Sequence, residues 1–312
     1  MTEDRVIIHE RHSRLVCLNR YDGSVRWDIP IGTWPRAVVV AGDYCLVVAQ
    51  NTDQLSCLDL ATGSVVWCAG LRPYSGHVVA SGETVVVGGW RGYTPMAAFN
   101  LKDGRPLWQT PRRMATVLPL PWGGGVLLGS GSETWLIDPR DGRELVRRRL
   151  PEPLTDVDDV PAFTMIDSGR CLVRCGLRSV MCIRLSSEFV DQFFSHDADL
   201  LPWAAEFTGG VVWLRERRAG YLAVDPADGS ALWKVDVRQP LVRGVVRDGE
   251  GFVVASEGGV LFRLRSDGHI LERSPSSVAR VAALRDLGAG GMLMVTKGTL
   301  RMIAIDPCQR GE

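Results

Sequence analysis

One short pattern returns roughly every forty residues and constrains this chain more than any other feature. An apolar strand closes on Asp or Asn, a glycine turn follows, and a second short strand often ends in Trp. Leu15-Val16-Cys17-Leu18-Asn19 leads through Asp22-Gly23 to Trp27, and Leu55-Ser56-Cys57-Leu58-Asp59 leads through Thr62-Gly63 to Trp67. Met96 to Asn100 leads through Asp103-Gly104 to Trp108, and Tyr221 to Asp225 leads through Asp228-Gly229 to Trp233. Trp135 to Asp138 with Asp141-Gly142, and Leu261 to Leu264 with Asp267-Gly268, end on Leu145 and Leu271 instead. Two copies are degenerate: Met181 to Arg184 with Ser186-Ser187, and Met302 to Asp306. The turn glycines 23, 63, 104, 142, 229 and 268 are 40, 41, 38, 87 and 39 residues apart, the 87 being two units around a degenerate copy. A helical 3.6-residue period is absent from almost the whole chain. A period near forty with several short strands per unit is the signature of a β-propeller.

One unit shows four strands: A at Ala37 to Val40, B at Tyr44 to Val48, C at Leu55 to Asp59 and D at Ser64 to Trp67. They are almost continuously apolar, as strands covered on both faces are. The strand-D tryptophans are expected to pack between blades. The run L-x-x-L-D-x-x-T-G-x-x-x-W over 55–67 resembles the quinoprotein-like, or PQQ-like, repeat. That repeat builds the propellers of quinoprotein alcohol dehydrogenases and of the outer-membrane assembly lipoproteins. The resemblance covers essentially the whole chain. It implies an all-β fold: one domain over residues 1–312, an eight-bladed quinoprotein-like β-propeller of four-stranded antiparallel blades, with seven blades as the alternative. The first copy lacks a strand A and the last stops after strand C. The resemblance does not by itself imply a cofactor. The adjacent Cys-Cys pair of the quinone-dependent dehydrogenases is missing, the chain is about half their usual length, and no cofactor is expected.

Charge narrows the partners. Lys+Arg and Asp+Glu are 36 each, so the chain is formally neutral and lacks the basic balance of a nucleic-acid or anionic-membrane binder. No apolar run approaches the length of a membrane span, and Met1-Thr2-Glu3-Asp4-Arg5 does not read as a secretory leader. These features, with abundant free cysteine, make the expected location cytoplasmic. The Gly/Val/Arg-rich, Lys-poor composition fits a bacterial source. Of eight cysteines, Cys17, Cys57 and Cys182 occupy one repeat position where other copies carry Ala98, Leu136, Ala223 and Ala304. Cysteine there is a small apolar core residue. Cys171 and Cys175 lie four apart on a strand, too far for a disulfide.

No sequence motif for a catalytic nucleophile, zinc protease, P-loop or dinucleotide site occurs. His9 and His12 would point to opposite faces of a strand, and no metal site is predicted. The run Asp156-Val157-Asp158-Asp159 lacks the glycine and distal glutamate of a calcium loop. The clusters Arg112-Arg113, Arg147 to Arg149 and Arg215 to Arg218 read as solvated turns or strand edges. Strand alternation puts the tight A–B and C–D turns on one side of each blade. The longer B–C and D–A loops lie on the other, where function concentrates. Those loops carry Trp34, Arg36, Tyr74, His77, Trp90, Arg91, Tyr93, His196 and Trp203, with Arg243 and Arg280 at strand-A starts. Trp, Tyr and Arg are the residues enriched at binding hot spots. Two readings follow, beside a bland one in which loop aromatics only cap the blades. In the first, the chain is a non-catalytic scaffold holding a peptide or protein partner on the long-loop face. In the second, it is a lyase or cyclase acting on a small or peptidic substrate, with His77 or Asp159 as acid/base and Arg36, Arg243 or Arg280 as an anion clamp. A purely structural assembly subunit is a third.

Overall fold

The computed structural model describes residues 4–10, 14–31, 35–49, 53–155, 160–202, 205–217, 220–237, 239–276, 280–288, 291–296 and 299–304. Apart from a single 3-10 turn at Trp90–Gly92, their regular structure is all strand, in eight antiparallel sheets. Sheet 1 holds Arg5–Glu10, Arg14–Asn19 and Val25–Pro30. Sheet 2 holds Pro35–Ala41, Tyr44–Ala49, Gln54–Asp59 and Val65–Gly70, and sheet 3 Val78–Ser81, Thr84–Val87, Pro95–Asn100 and Pro106–Arg113. Sheet 4 holds Leu120–Trp122, Gly125–Ser130, Glu133–Ile137 and Glu144–Arg149. Sheet 5 runs from Phe163–Met165 through Arg170–Cys175 and Ser179–Arg184 to Val190–Ser195. Sheet 6 runs from Glu206–Thr208 through Val211–Arg215 and Tyr221–Val224 to Ala231–Val235. Sheet 7 holds Val246–Asp248, Gly251–Ala255, Val260–Leu264 and Ile270–Pro275, and sheet 8 Val281–Gly288, Gly291–Thr296 and Thr299–Ala304. Among the described residues sheets 1 and 8 are three-stranded: the first has no strand A and the last no strand D, in keeping with the truncated first and last copies. No helix among the described residues is long and apolar enough to cross a membrane.

The chain forms two compact units, Met1–Pro161 with Arg184–Val190, and Ala162–Ile183 with Asp191–Glu312. Within the first, buried clusters lie between sheets 1 and 2, 2 and 3, and 3 and 4. Within the second they lie between sheets 5 and 6, 6 and 7, and 7 and 8. This is why the inner strands read as unbroken apolar runs: Cys45 and Val47 face sheet 1, while Leu46 and Val48 face sheet 3.

The repeat motif closes five of the turns in the same way. Asn19, Asp59, Asn100, Asp138 and Asp225 each accept the N–H two residues on through a side-chain oxygen, at 2.7–3.0 Å. The glycine four residues on then donates its N–H back to that residue's carbonyl at 2.8–2.9 Å. Tryptophan locks neighbouring sheets together. Trp27 Nε1 donates to the Leu60 carbonyl at 3.0 Å, Trp67 to Leu101 at 2.8 Å and Trp108 to Pro139 at 2.7 Å. The ring lies on the next turn's glycine, so a Cβ at Gly63 would fall 2.8 Å from Trp27.

Three expectations are corrected. The loop that carries His196 is shorter than the sequence suggests, because Phe193, Phe194 and Ser195 belong to the last strand of sheet 5. The arginine clusters are not all solvated. Arg148 is buried because sheet 4 has Val146 where the tryptophan would stand. Its guanidinium donates instead to the carbonyls of Arg184, Leu185 and Ser187, at 2.7–3.1 Å. Finally, six of the seven described cysteines are buried but Cys68 is exposed, because strand D is a sheet edge that buries little besides its tryptophan. Cys308 lies outside the described residues. Burial pushes the Cys45 thiol up to about 12 and the Cys57 thiol up to about 11.

Candidate functional site

In the first unit the structure brings five of the sequence-predicted residues together. The Arg36 guanidinium stacks on the Trp90 ring at 3.8 Å, and that of Arg91 lies 5.1 Å from the same ring. Tyr93 meets Trp90 edge-on at 5.4 Å and Tyr74 at 5.7 Å. Three loops that follow or interrupt the strands of sheets 2 and 3 build this cluster. Ser75 Oγ donates to the Arg72 carbonyl at 2.9 Å and to Thr94 Oγ1 at 3.4 Å. The Gly88 N–H donates to the His77 carbonyl at 2.9 Å, and the Thr116 N–H to the Gly89 carbonyl at 2.8 Å. The backbone of the 71–77 loop lies flat on Trp90: a Cβ at Gly76 would sit 2.7 Å from that side chain. The turn at 88–92 needs left-handed backbone at Gly88, Gly89, Arg91 and Gly92.

The outcome is a rigid aromatic base with a polar rim. Trp90 is buried and anchors the loops, whereas Tyr74 and Tyr93 are 56% and 44% exposed. Segments 71–77, 88–95 and 110–119 carry Arg72, Arg91, Arg112 and Arg113, all exposed, and contain no Asp or Glu. Such a surface can take an apolar or aromatic group against tyrosine and hold an anionic group with guanidinium. His77 does not share the rim; it is 4% exposed.

The second unit holds a separate polar network. Glu216 is buried and accepts Lys234 Nζ at 2.7 Å, with His196 Nε2 2.8 Å from its other oxygen. Burial works to raise this carboxyl, but the hydrogen bonds and charges of Lys234 and His196 outweigh it and hold the group below the usual glutamate range. Beside it in sequence, Arg215 donates to the Leu241 carbonyl and is lowered by burial. Arg243 is also lowered, by burial first and then by Arg285. Glu206 accepts the N–H groups of Gly244 and Val245 at 3.0 and 3.1 Å, and Tyr221 donates to the Val242 carbonyl at 2.8 Å. Arg215 and Glu216, read from the sequence as solvated, are therefore bracing residues: Arg215 ties sheet 6 to the chain entering sheet 7, and Glu216 ties it to the end of sheet 5. Arg280 is exposed, with φ of 62°.

Trp34, Asp159 and Trp203 lie outside the described residues, as does the run 156–159. Among the described residues no three His, Cys, Asp or Glu side chains cluster as a metal donor set. The bracing role of Arg148 and Arg215 was missed in the sequence. Its signal was the missing tryptophan of sheet 4, and nothing comparable marked Arg215.

A family model described as outer membrane protein assembly factor BamB matches residues 11–191 and 194–309. The BamB of Burkholderia pseudomallei is 29% identical over 132 residues, which is 37% of this chain and 33% of that protein. The matched region thus spans about a third of this curated relative. The crystal structure of BamB from Moraxella catarrhalis superposes with a TM-score of 0.76 at 17% identity, covering 100% of this chain and 94% of that one. The dihydro-heme d1 dehydrogenase NirN, in complex with DHE, superposes with a TM-score of 0.78 at 12% identity, covering 97% and 71%. These similarities establish the propeller fold, and the family match over nearly all of the repeats establishes that the chain belongs to the PQQ-like repeat family.

Proposed function

We propose that this protein is a non-catalytic scaffold that holds a peptide or protein partner on the Tyr74–Trp90–Tyr93 cluster of its loop side. We propose further that its eight sheets are the blades of one eight-bladed propeller domain spanning residues 1–312. The observation that carries the functional reading is the cluster itself. Exposed tyrosines stand on a buried tryptophan, arginines rim them, and the loop segments carry no carboxylate. The acid–base candidate His77 is buried, which favours binding over a reaction at this place. The relatives named as assembly factors support the same reading. The test is affinity capture from native-host lysate with the wild type and with a Tyr74→Ala, Arg91→Glu, Tyr93→Ala variant, read by mass spectrometry. The expected result is a protein retained by the wild type and lost by the variant. Equal retention by both, or retention of a small molecule alone, would overturn the reading.

A further inference from the structure

The last strand of each of sheets 1 to 7 is the sheet's edge, and an unprotected edge is a template for another strand. Most of these edges are blunted by charge or proline. Val25–Pro30 carries Arg26, Asp28 and Pro30, Glu144–Arg149 carries three arginines, and Ile270–Pro275 carries Glu272, Arg273 and a terminal proline. Pro106–Arg113 has two prolines and two arginines, Val190–Ser195 has Asp191, and Ala231–Val235 has Lys234. Val65–Gly70, with the sequence VVWCAG, has neither a charge nor a proline.

That bare edge borders a cavity of about 690 Å³, which also takes in Ala97, Ala98, Phe99, Leu107 and Trp108 of sheet 3. Space exists there because the strand is small after its tryptophan. Ala69, on the face that packs against sheet 3, stands where sheets 1, 4 and 6 place Ile29, Arg148 and Val235. Among the described residues lining the cavity, Arg72 is the one charged side chain. It lies at the end where Pro95 also lines the wall, and Pro95 pairs across the strands with exposed Arg113. Besides Arg72, Ser75 and Gln109 bring polar side chains to the lining; the other lining side chains are apolar, and the one charge is cationic.

We infer that this groove takes an extended segment of a partner polypeptide, added as a strand to the Val65–Gly70 edge, apolar in its middle and acidic at the end beside Arg72 and Arg113. Every second residue of an edge strand turns its N–H and C=O away from its own sheet, and these groups supply main-chain hydrogen bonds to the added strand. A run of about five residues at ~3.4 Å each matches the stretch from Cys68 to Arg72. Apolar side chains fill the space left by Ala69, and Asp or Glu meets the guanidinium end. The groove shares Arg72 and Arg113 with the rim of the loop cluster but has its own walls in sheets 2 and 3, and the inference does not rest on the loop-cluster reading.

The test is selection of a phage-displayed random octapeptide library on the whole protein. Enriched peptides are expected to hold a β-forming apolar run with Asp or Glu at one end. Ala69→Phe, which fills the groove on the face packed against sheet 3, is expected to weaken them at least about tenfold. Arg72→Glu is expected to switch the enriched end to Lys or Arg, an outcome that a folding defect does not produce. Absence of enrichment, no acidic bias, or equal binding to Ala69→Phe would overturn the inference. Peptides lost on Tyr93→Ala but kept on Ala69→Phe would overturn it too, while leaving the loop-cluster reading intact.

Discussion

At the scale of single residues, the fold rests on a glycine that does two jobs. Gly63 has φ of 73° and also lies under the Trp27 ring, whereas Gly42 has φ of 56° and open space where a Cβ would go. Gly42→Ala should therefore cost only the left-handed backbone penalty, about 1–2 kcal/mol. Gly63→Ala adds displacement of the ring and the strain of overpacking, for a total of about 2–4 kcal/mol. Urea unfolding of both variants checks the difference, and equal costs would show that the ring contact contributes nothing. This level was the most legible in the sequence. The Asp or Asn, the glycine and the tryptophan recur at fixed offsets because each makes a specific bond or contact: a side-chain oxygen to an N–H, a left-handed turn, an indole N–H to a carbonyl. The placement of cysteine followed from the same register, since Cys17 and Cys57 pair with Trp27 and Trp67 and are buried beneath them. Cys68 escaped because the next position on strand D faces out.

At the scale of strands and sheets, side-chain bracing supplements the repeat. Sheet 4 lacks the tryptophan, and Arg148 ties it to the irregular turn 184–187. Arg148→Leu leaves three part-buried carbonyl contacts unmade and should cost about 2–4 kcal/mol. Arg148→Lys should recover only part of that, because one ammonium on a flexible stem cannot reproduce the planar fork. Denaturant midpoints of the two variants check this, and a neutral Arg148→Leu would contradict the bracing role. In the second unit Glu216 makes a pH prediction. Its carboxyl is lower when folded than when unfolded, so its contribution is present above the ordinary glutamate range of about 4.3 and fades as pH falls toward its folded value. Glu216→Gln should be less stable than wild type at pH 7 and should lose less stability than wild type between pH 7 and about pH 3. Parallel pH profiles for the two proteins would contradict it. These braces were illegible in the sequence for a physical reason. A run such as Arg147-Arg148-Arg149 alternates faces along a strand, so one arginine turns inward between two that stay in water, and only the neighbouring carbonyls decide whether it is held there.

At the scale of the whole molecule, the sequence indicated the side on which to look. Tight glycine turns close one side of each sheet, and the aromatic and arginine loops gather on the other. Arg36, Tyr74, Trp90, Arg91 and Tyr93 come from three separate stretches of chain and meet within one unit, which no single motif could have shown. The roles within the cluster were not legible. Trp90 is the buried base and not a contact residue, because the backbone at Gly76 covers it, and the exposed tyrosines form the outward surface. The central claim is that a protein partner sits on that surface, and site-specific photocrosslinking in the native host tests it most directly. A benzophenone amino acid placed at Tyr93 is compared with one at Phe189, an 82% exposed residue beyond a C–D turn. The account predicts a discrete crosslinked protein at Tyr93, absent at Phe189 and lost when Tyr74→Ala and Arg91→Glu are added. The same crosslinked proteins at both positions, or none at Tyr93, would contradict it.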